Sequence, residues 1–548
     1  MWKTQMEDHI DKLLAKLGTG WWQILHFLTL SFASGTLAVH SLAGVYVAPR
    51  IKYECRLPPD TKERSYFINN GSIDSCNYFV LYENGTQNEA PCTEWDFDNS
   101  TFTNTITSEF GLTCQRDYLR ATYQSMYMIG VLVGSPINGI LADRYGRKTM
   151  FTGSAVLYAI LAIVSCWLPG LPLLLVFRFL LGTLHTSVLK TGYILAMEIA
   201  NPRIRTIVGV TLFAPWSLGT MAWGGLAYLM RSWRSLLTVG SLPCLLLLPP
   251  LLFLDESPRW LLVRGKHTHA CEVLKKAARW NKVTLPPDFD VMRFDERYAE
   301  QVPKTKDQAT DLDWKTIIKN CAKGILILLR TPRLRLATLV MVLDYFVLGM
   351  VYFGITLSGG NLNFDIFSYM VLIGLAGFPS YTVLYPAVSY FGRRLPIAIS
   401  YTVTGIVLLI QPFLPSGNQW LVISLVLTGK VAISAAFQGC NLYATELFPT
   451  EVRTSGVGTS FMLSRVGSAI APFITDYLGV IYPWAPSVVF GLASVSAGLA
   501  TLRLWETRWI SLPDTIPQLE STNFLPLKKN TNQITDDQEC TAESMVKL

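Results

Sequence analysis

Residues 139–148, GILADRYGRK, form a ten-residue polar turn between two apolar runs of membrane-spanning length, near 122–142 and 149–169. A turn this short has no room for a soluble domain, so the two runs must pack as antiparallel helices. Gly139 and Gly146 permit close backbone approach and positive φ. Asp143 stands at a helix end, where unpaired amides or a nearby arginine hold a carboxylate. Arg144, Arg147 and Lys148 make a cationic cluster, which assigns the turn to the cytoplasmic side.

A membrane span takes about 20 apolar residues. Twelve candidates lie near 22–48, 122–142, 149–169, 172–197, 207–229, 235–254, 336–358, 366–390, 395–414, 419–444, 456–479 and 484–504. With 50% hydrophobic residues, 16% charged and a mean hydropathy of +0.32, the chain is not a soluble enzyme. The net charge of +7 sits in loops beside spans, where the positive-inside rule accounts for it better than nucleic acid does. Residues 1–20 are charged and amphipathic, with Ile10, Leu13, Leu14 and Leu17 on one face. They read as a cytoplasmic surface helix rather than a cleavable signal.

The loop 50–119 lacks long apolar runs and holds Cys55, Cys76, Cys92 and Cys114 with acceptor sequons at Asn70, Asn84 and Asn99. Even cysteines beside sequons imply an oxidising, extracellular side and two disulfides, with three pairings open. Cys166, Cys244 and Cys440 fall in or near spans and read as packing residues. Sidedness then alternates: Arg203, Arg205, Arg393, Arg394 and Arg453 all fall inside, and only Arg231 and Arg234 fall outside. The resulting division is a six-span half at 1–254, a cytoplasmic connector at 255–335, a second half at 336–508 and a cytoplasmic tail at 509–548. Within the connector, 269–280 has helical spacing and 304–313 is a charged linker. His267 and His269 lack a third metal ligand.

The chain also repeats itself. Gly392-Arg393-Arg394 occupies the place in the second half that Gly146-Arg147-Lys148 occupies in the first, without the aspartate. The 139–148 turn resembles the signature loop of the major facilitator superfamily. ESPRWL at 256–261, RFLLG at 178–182, Glu198 ahead of Arg203 and Arg205, and ELFPTEVR at 446–453 narrow the match, together with the cysteine loop. They resemble the organic cation, anion and zwitterion (carnitine) transporters of that superfamily, over residues 21–520. The resemblance implies an all-α membrane protein of twelve transmembrane helices in two six-helix halves, with substrate held near the midplane. It also implies a gating set of Asp143, Arg144, Arg147, Glu198, Glu256, Arg393, Glu446 and Arg453. Glu198 would pair with Arg144 or Arg147, and Glu446 or Glu256 with Arg393 or Arg453, latching the halves in one facing state.

Charges inside spans point to the substrate, because an arginine or lysine at a helix centre costs about 2.5–3.5 kcal/mol and rarely persists without a role. Arg465 lies well inside the eleventh run and Lys430 inside the tenth. Lys190, in the fourth, is free to snorkel or to pair internally. Cation carriers of the family place an aspartate where this chain has Arg465; anion and carnitine carriers place arginine. The guanidinium fork matches a carboxylate. Tyr345, Tyr352, Phe353, Phe378 and Tyr381 match positions near the family's cavity, and an aromatic face holds a quaternary ammonium. The expectation is a polyspecific plasma-membrane carrier of small organic zwitterions or anions working by alternating access. An organic cation transporter and a non-transporting receptor or scaffold are the alternatives. Its partners are a small organic ion and the lipid bilayer, with a coupling ion or exchanged anion as a further candidate. No nucleophile–base set, phosphate loop or cofactor motif is present, so neither an enzyme nor a cofactor is expected.

Overall fold

The structure, a computed structural model, describes residues 2–57, 64–67, 76–82, 86–284, 324–361, 364–414, 418–508 and 515–521. The linker 304–313, the tail beyond 521, Asn70 and Asn84 lie outside the described residues, while Asn99 is exposed.

Among the described residues, apolar runs give eleven helices of membrane-spanning length and a shorter twelfth. The first half holds spans 1 (Trp21–Val47), 2 (Cys114–Tyr145), 3 (Arg147–Ser165), 4 (Leu171–Ile199), 5 (Ile207–Leu229) and 6 (Trp233–Leu251). The second holds spans 7 (Pro332–Leu357), 8 (Ile366–Phe391), 9 (Arg394–Phe413), 10 (Gln419–Leu447) and 11 (Arg453–Leu478), with span 12 shorter at Ala485–Thr501. Span 2 packs on span 4, and span 1 on spans 5 and 6; in the second half span 7 packs on 11 and 12, and span 9 on 10 and 12. The halves meet along span 2 against span 11 and span 5 against span 8. Lipid gives helices no hydrophobic reason to associate, so close packing through small residues does the work. A Cβ on Gly349 would fall 1.8 Å from the Ser464 carbonyl oxygen, and one on Gly467 2.1 Å from that of Phe346. Spans 7 and 11 therefore touch backbone to backbone, which fixes the position of Arg465 on span 11.

Several of the described helices are interrupted, and three of the breaks lie in spans 4, 8 and 11. Span 4 carries a π-turn at Ser187–Thr191, span 11 ends in another at Ile474–Leu478, and span 8 breaks at Ala376. An extra residue per turn re-aims the side chains around it, and Lys190 lies in the first of these turns.

The segment between spans 1 and 2, expected only as a loop, is a small β structure. Tyr53–Cys55 pairs antiparallel with Trp95–Phe97, and Arg64–Phe67, Asn77–Tyr82 and Gln87–Pro91 form a three-stranded sheet. Disulfides join Cys55 to Cys92 and Cys76 to Cys114. The membrane side that carries it is called the loop face below, and the opposite one the basic face. Arg231 and Arg234, the two exceptions in the charge pattern, clamp this segment. Arg231 Nη1 donates to the Thr101 carbonyl at 2.9 Å, and Arg234 pairs with Glu109, which also accepts from Trp233 Nε1 at 2.8 Å.

On the basic face, the helix Trp2–Leu17 buries Ile10, Leu13, Leu14 and Leu17, and Asp11 receives Arg205 at 2.7 Å and Arg259. It packs on a second amphipathic helix, His267–Asn281. Cys166, Cys244 and Cys440 are buried and unpaired.

Candidate functional site

At the basic face each half carries the same charge cluster. Gly146, at φ +106°, lets the chain turn from span 2 into span 3, and the Glu256 carboxylate caps the new helix. It accepts from the backbone amides of Arg147 at 2.8 Å and Lys148 at 3.0 Å. Arg147 reaches Asp143 at 2.9 Å and Glu198 at 3.3 Å. In the second half Gly392, at φ +87°, makes the same turn, and Glu506 accepts from the amides of Arg393 at 2.8 Å and Arg394 at 3.1 Å. Arg393 binds Glu446 at 2.9 Å. A carboxylate at a helix N-terminus meets unsatisfied amides and the positive end of the dipole, so each cluster bolts several helices of its own half together.

This corrects the expected latch. Glu198–Arg147 and Glu446–Arg393 form, but each lies within one half. Glu256 serves the first half and does not reach Arg393 or Arg453. Arg144 lies over the Tyr145 ring at 5.5 Å, and Arg453 donates to the Phe448 carbonyl at 3.3 Å and to Thr450 at 3.2 Å. Glu506 was missed, although the spacing repeats. Arg147 and Arg393 precede their paired glutamates by 51 and 53 residues, and their capping glutamates by 109 and 113.

The halves close on each other toward the loop face. Phe367, at the start of span 8 and 5% exposed, fits between first-half groups. It stacks on Tyr46 at 5.5 Å, meets Phe102 at 5.7 Å, and lies 4.4 Å from the Arg231 guanidinium. The Tyr46 hydroxyl donates across the seam to the Ile366 carbonyl at 3.1 Å, and Ser125 to that of Ala469 at 2.6 Å.

Below this closure, near mid-membrane, the predicted cations converge. Arg465 is 7% exposed, its guanidinium carbon lies 4.7 Å from the Phe461 ring centre, and its Nε has no partner. Lys190 arrives from the other half, with its ammonium 3.8 Å from the same ring centre and donating to Ser135 at 2.7 Å. Lys430 donates to Thr356 at 2.8 Å and sits 3.1 Å over the Tyr352 ring. Among the described residues none of the three has a carboxylate partner. Aromatic groups frame them: Tyr352 against Phe353 at 5.5 Å and Phe437 at 6.1 Å, and Tyr127 sharing a 2.8 Å hydrogen bond with His185.

The remaining candidates divide. The Tyr345 hydroxyl is consumed by Asn441 at 2.8 Å, and its ring is fully buried against Phe461. Phe378 is half-buried on span 8 with no ring partner among the described residues, and the Tyr381 side chain lies outside the described residues. The face of Tyr352 expected to hold a ligand's ammonium already holds Lys430. Asp344, overlooked in the sequence, is a fully buried carboxylate of span 7 that accepts from Thr501 at 3.0 Å and leaves its other oxygen without a partner.

The family described as sugar (and other) transporter matches residues 69–514. An organic cation transporter protein of Drosophila melanogaster is 32% identical, covering 96% of this chain and 98% of its own. The organic anion transporter 3 of Oryctolagus cuniculus is 29% identical over 95% of each chain. The organic cation/carnitine transporter 2 of Homo sapiens is 28% identical over 97% and 98%. Among solved structures, the xylose transporter XylE of E. coli, partially occluded and inward open, aligns at TM-score 0.58 and 14% identity. It covers 90% of this chain and 100% of that one, a likeness of fold. With the facilitator fold, the repeated charge clusters and these relatives, the chain belongs to the sugar (and other) transporter family of the major facilitator superfamily, in its organic cation, anion and carnitine transporter branch.

Proposed function

We propose that this protein carries small organic anions bearing a carboxylate, by alternating access, with the loop face outside the plasma membrane and the basic face in the cytoplasm. The observation that carries this reading is Arg465, a buried guanidinium at mid-membrane without a carboxylate partner. An unpaired charge in a low-dielectric interior is expensive, and a substrate carboxylate on the guanidinium fork relieves that cost while it is bound. Lys190 and Lys430 add positive potential and bring no competing carboxylate. Tyr352, Phe353 and Phe437 supply an apolar wall for the organic body of the substrate.

Closure around Phe367 and Tyr46 supports a state that is shut toward the outside. The two charge clusters keep each half rigid as it rocks, and Asp143, paired with Arg147 yet with its side chain 73% exposed, is placed to meet the other half when the basic face closes. Occupation of the Tyr352 face by Lys430 favours simple anions over substrates with a quaternary ammonium.

The test is uptake of a radiolabelled anion, a zwitterion and a cation, each normalised to surface protein. Arg465→Gln is expected to abolish anion uptake while surface expression persists, and Arg465→Lys to restore part of it. Equal loss of all three substrates would overturn the direct contact. A second reading, transport of organic cations, is favoured by the Drosophila relative. Its available carboxylate is Asp344, which is enclosed between spans 7 and 12 and bonded to Thr501. Robust cation uptake that survives Arg465→Gln would establish that reading instead.

A further inference from the structure

Lys190 belongs to the first half and Phe461 to the second, so the contact between them crosses the seam that transport must open. On the same ring sits Arg465. The two ring distances, 3.8 and 4.7 Å, cap the separation of the ammonium and the guanidinium carbon at 8.5 Å. Neither cation has a carboxylate partner among the described residues. Two like charges at this range in a low-dielectric interior repel strongly, and a cation–π contact of about 0.5–2 kcal/mol each does not offset that. The Ser135 hydroxyl solvates Lys190 without neutralising it. The π-turn at Ser187–Thr191 is the local device that turns Lys190 into this position instead of leaving it on the regular helix.

We infer that Lys190 is a second substrate anchor, and that the preferred substrate is an organic dianion whose two charges are shared between Lys190 of one half and Arg465 of the other. The inference rests on the anion reading above and adds to it the number of negative charges. A monoanion satisfies one cation and leaves the other facing it; a dianion neutralises both and removes the repulsion across the seam. Binding and closure are thereby coupled through the substrate's own charge.

Phenyl phosphate and phenyl sulfate test this, because they share a scaffold and near-identical shape. The first is mostly dianionic at pH 7.4, its second pKa being about 6, and the second is a monoanion. In proteoliposomes of the purified full chain, phenyl phosphate is expected to be taken up with the higher apparent affinity. Lys190→Met should weaken phenyl phosphate by roughly tenfold or more, the scale of losing one partner of a buried charge pair, and leave phenyl sulfate within about twofold. Lys190→Arg should regain most of the loss. If Lys190→Met is poorly folded, thermal stabilisation of the parental protein decides: phenyl phosphate is expected to raise the melting temperature more than phenyl sulfate. Equal affinity for the two probes, equal loss of both in Lys190→Met, or equal thermal shifts would overturn the inference. In each case loss of both anions in Arg465→Gln would leave the anion reading standing. Uptake of tetraethylammonium with neither anion carried would overturn both.

Discussion

Tyr46 and Phe367, 321 residues apart in the chain, stack at 5.5 Å and 10° across the seam between the two halves. The pair closes the loop face, because Phe102 and Arg231 wall the same pocket. An aromatic pair contributes about 0.5–1.5 kcal/mol beyond its area, and truncating a buried phenylalanine costs about 3–5 kcal/mol. The cost falls mainly on the one state in which the pocket is filled. Phe367→Ala is therefore expected to shift the equilibrium toward the state open at the loop face. Spin labels at Tyr118→Cys and Tyr482→Cys, both exposed at the loop-face ends of their helices, report the gap by pulsed distance measurement. A distance distribution unchanged by Phe367→Ala would show that the plug does not hold the seam.

Glu256 and Glu506 cap equivalent helices in different halves. Loss of a capping side chain costs about 0.5–2 kcal/mol, so Glu256→Gln and Glu506→Gln should each lower the melting temperature. Groups far apart with no shared partner contribute additively, whereas contacting groups couple by about 0.5–3 kcal/mol. The double variant should then show the sum of the two shifts, while Arg147→Ala with Glu198→Ala should fall short of its sum. Coupling between Glu256 and Glu506 would mean that the clusters do join the halves.

The parts of this molecule that were legible in the sequence are those written in short windows. Twelve apolar runs at span length, the GILADRYGRK turn and the amphipathic face of Ile10, Leu13, Leu14 and Leu17 each carry their physics within twenty or so residues. Arg465, Lys430 and Lys190 announced themselves because a cation inside an apolar run has few innocent explanations. Partnership was harder to read. Glu506 stands in no motif like ESPRWL and is recognisable only by repeating the spacing of Glu256. The Phe367 plug and the placing of Lys430 over Tyr352 depend on helix crossings, and neither residue is unusual in its local sequence. Arg231 and Arg234 looked like exceptions to a charge rule until the segment they clamp was in place.

That clamp carries a pH dependence. Partial burial alone would raise the Glu109 carboxyl, but hydrogen bonds from Arg234, Trp233 and Asn104 outweigh it and hold the group below its ordinary value of 4.5. A carboxyl lowered on folding contributes stability above its unfolded value and loses it as pH falls through the lower folded one. The contribution is thus intact at neutral pH and fades only in acid below about 4.5. Proteolysis of the 50–119 segment should accelerate there in the parental protein. Glu109→Gln should cleave faster at neutral pH and lose that part of the acid dependence. An unchanged acid profile in Glu109→Gln would assign the dependence to other groups.

Asp344 makes the last prediction, because it is a buried carboxylate that no cation approaches among the described residues. One oxygen accepts from Thr501 and the other accepts from nothing. Burying a polar group without a partner costs about 1–3 kcal/mol by mutational measures, and a charge costs more. Asn is nearly isosteric, keeps an acceptor for Thr501 and carries no charge to desolvate. If Asp344 serves only packing between spans 7 and 12, Asp344→Asn should melt at the same temperature as the parental protein or higher, with uptake unchanged. Asp344→Ala should melt lower, since it leaves a cavity between spans 7 and 12. A variant that is stable in the Asn form yet transports poorly would show that the carboxylate is retained for transport, at a cost in stability that packing does not require.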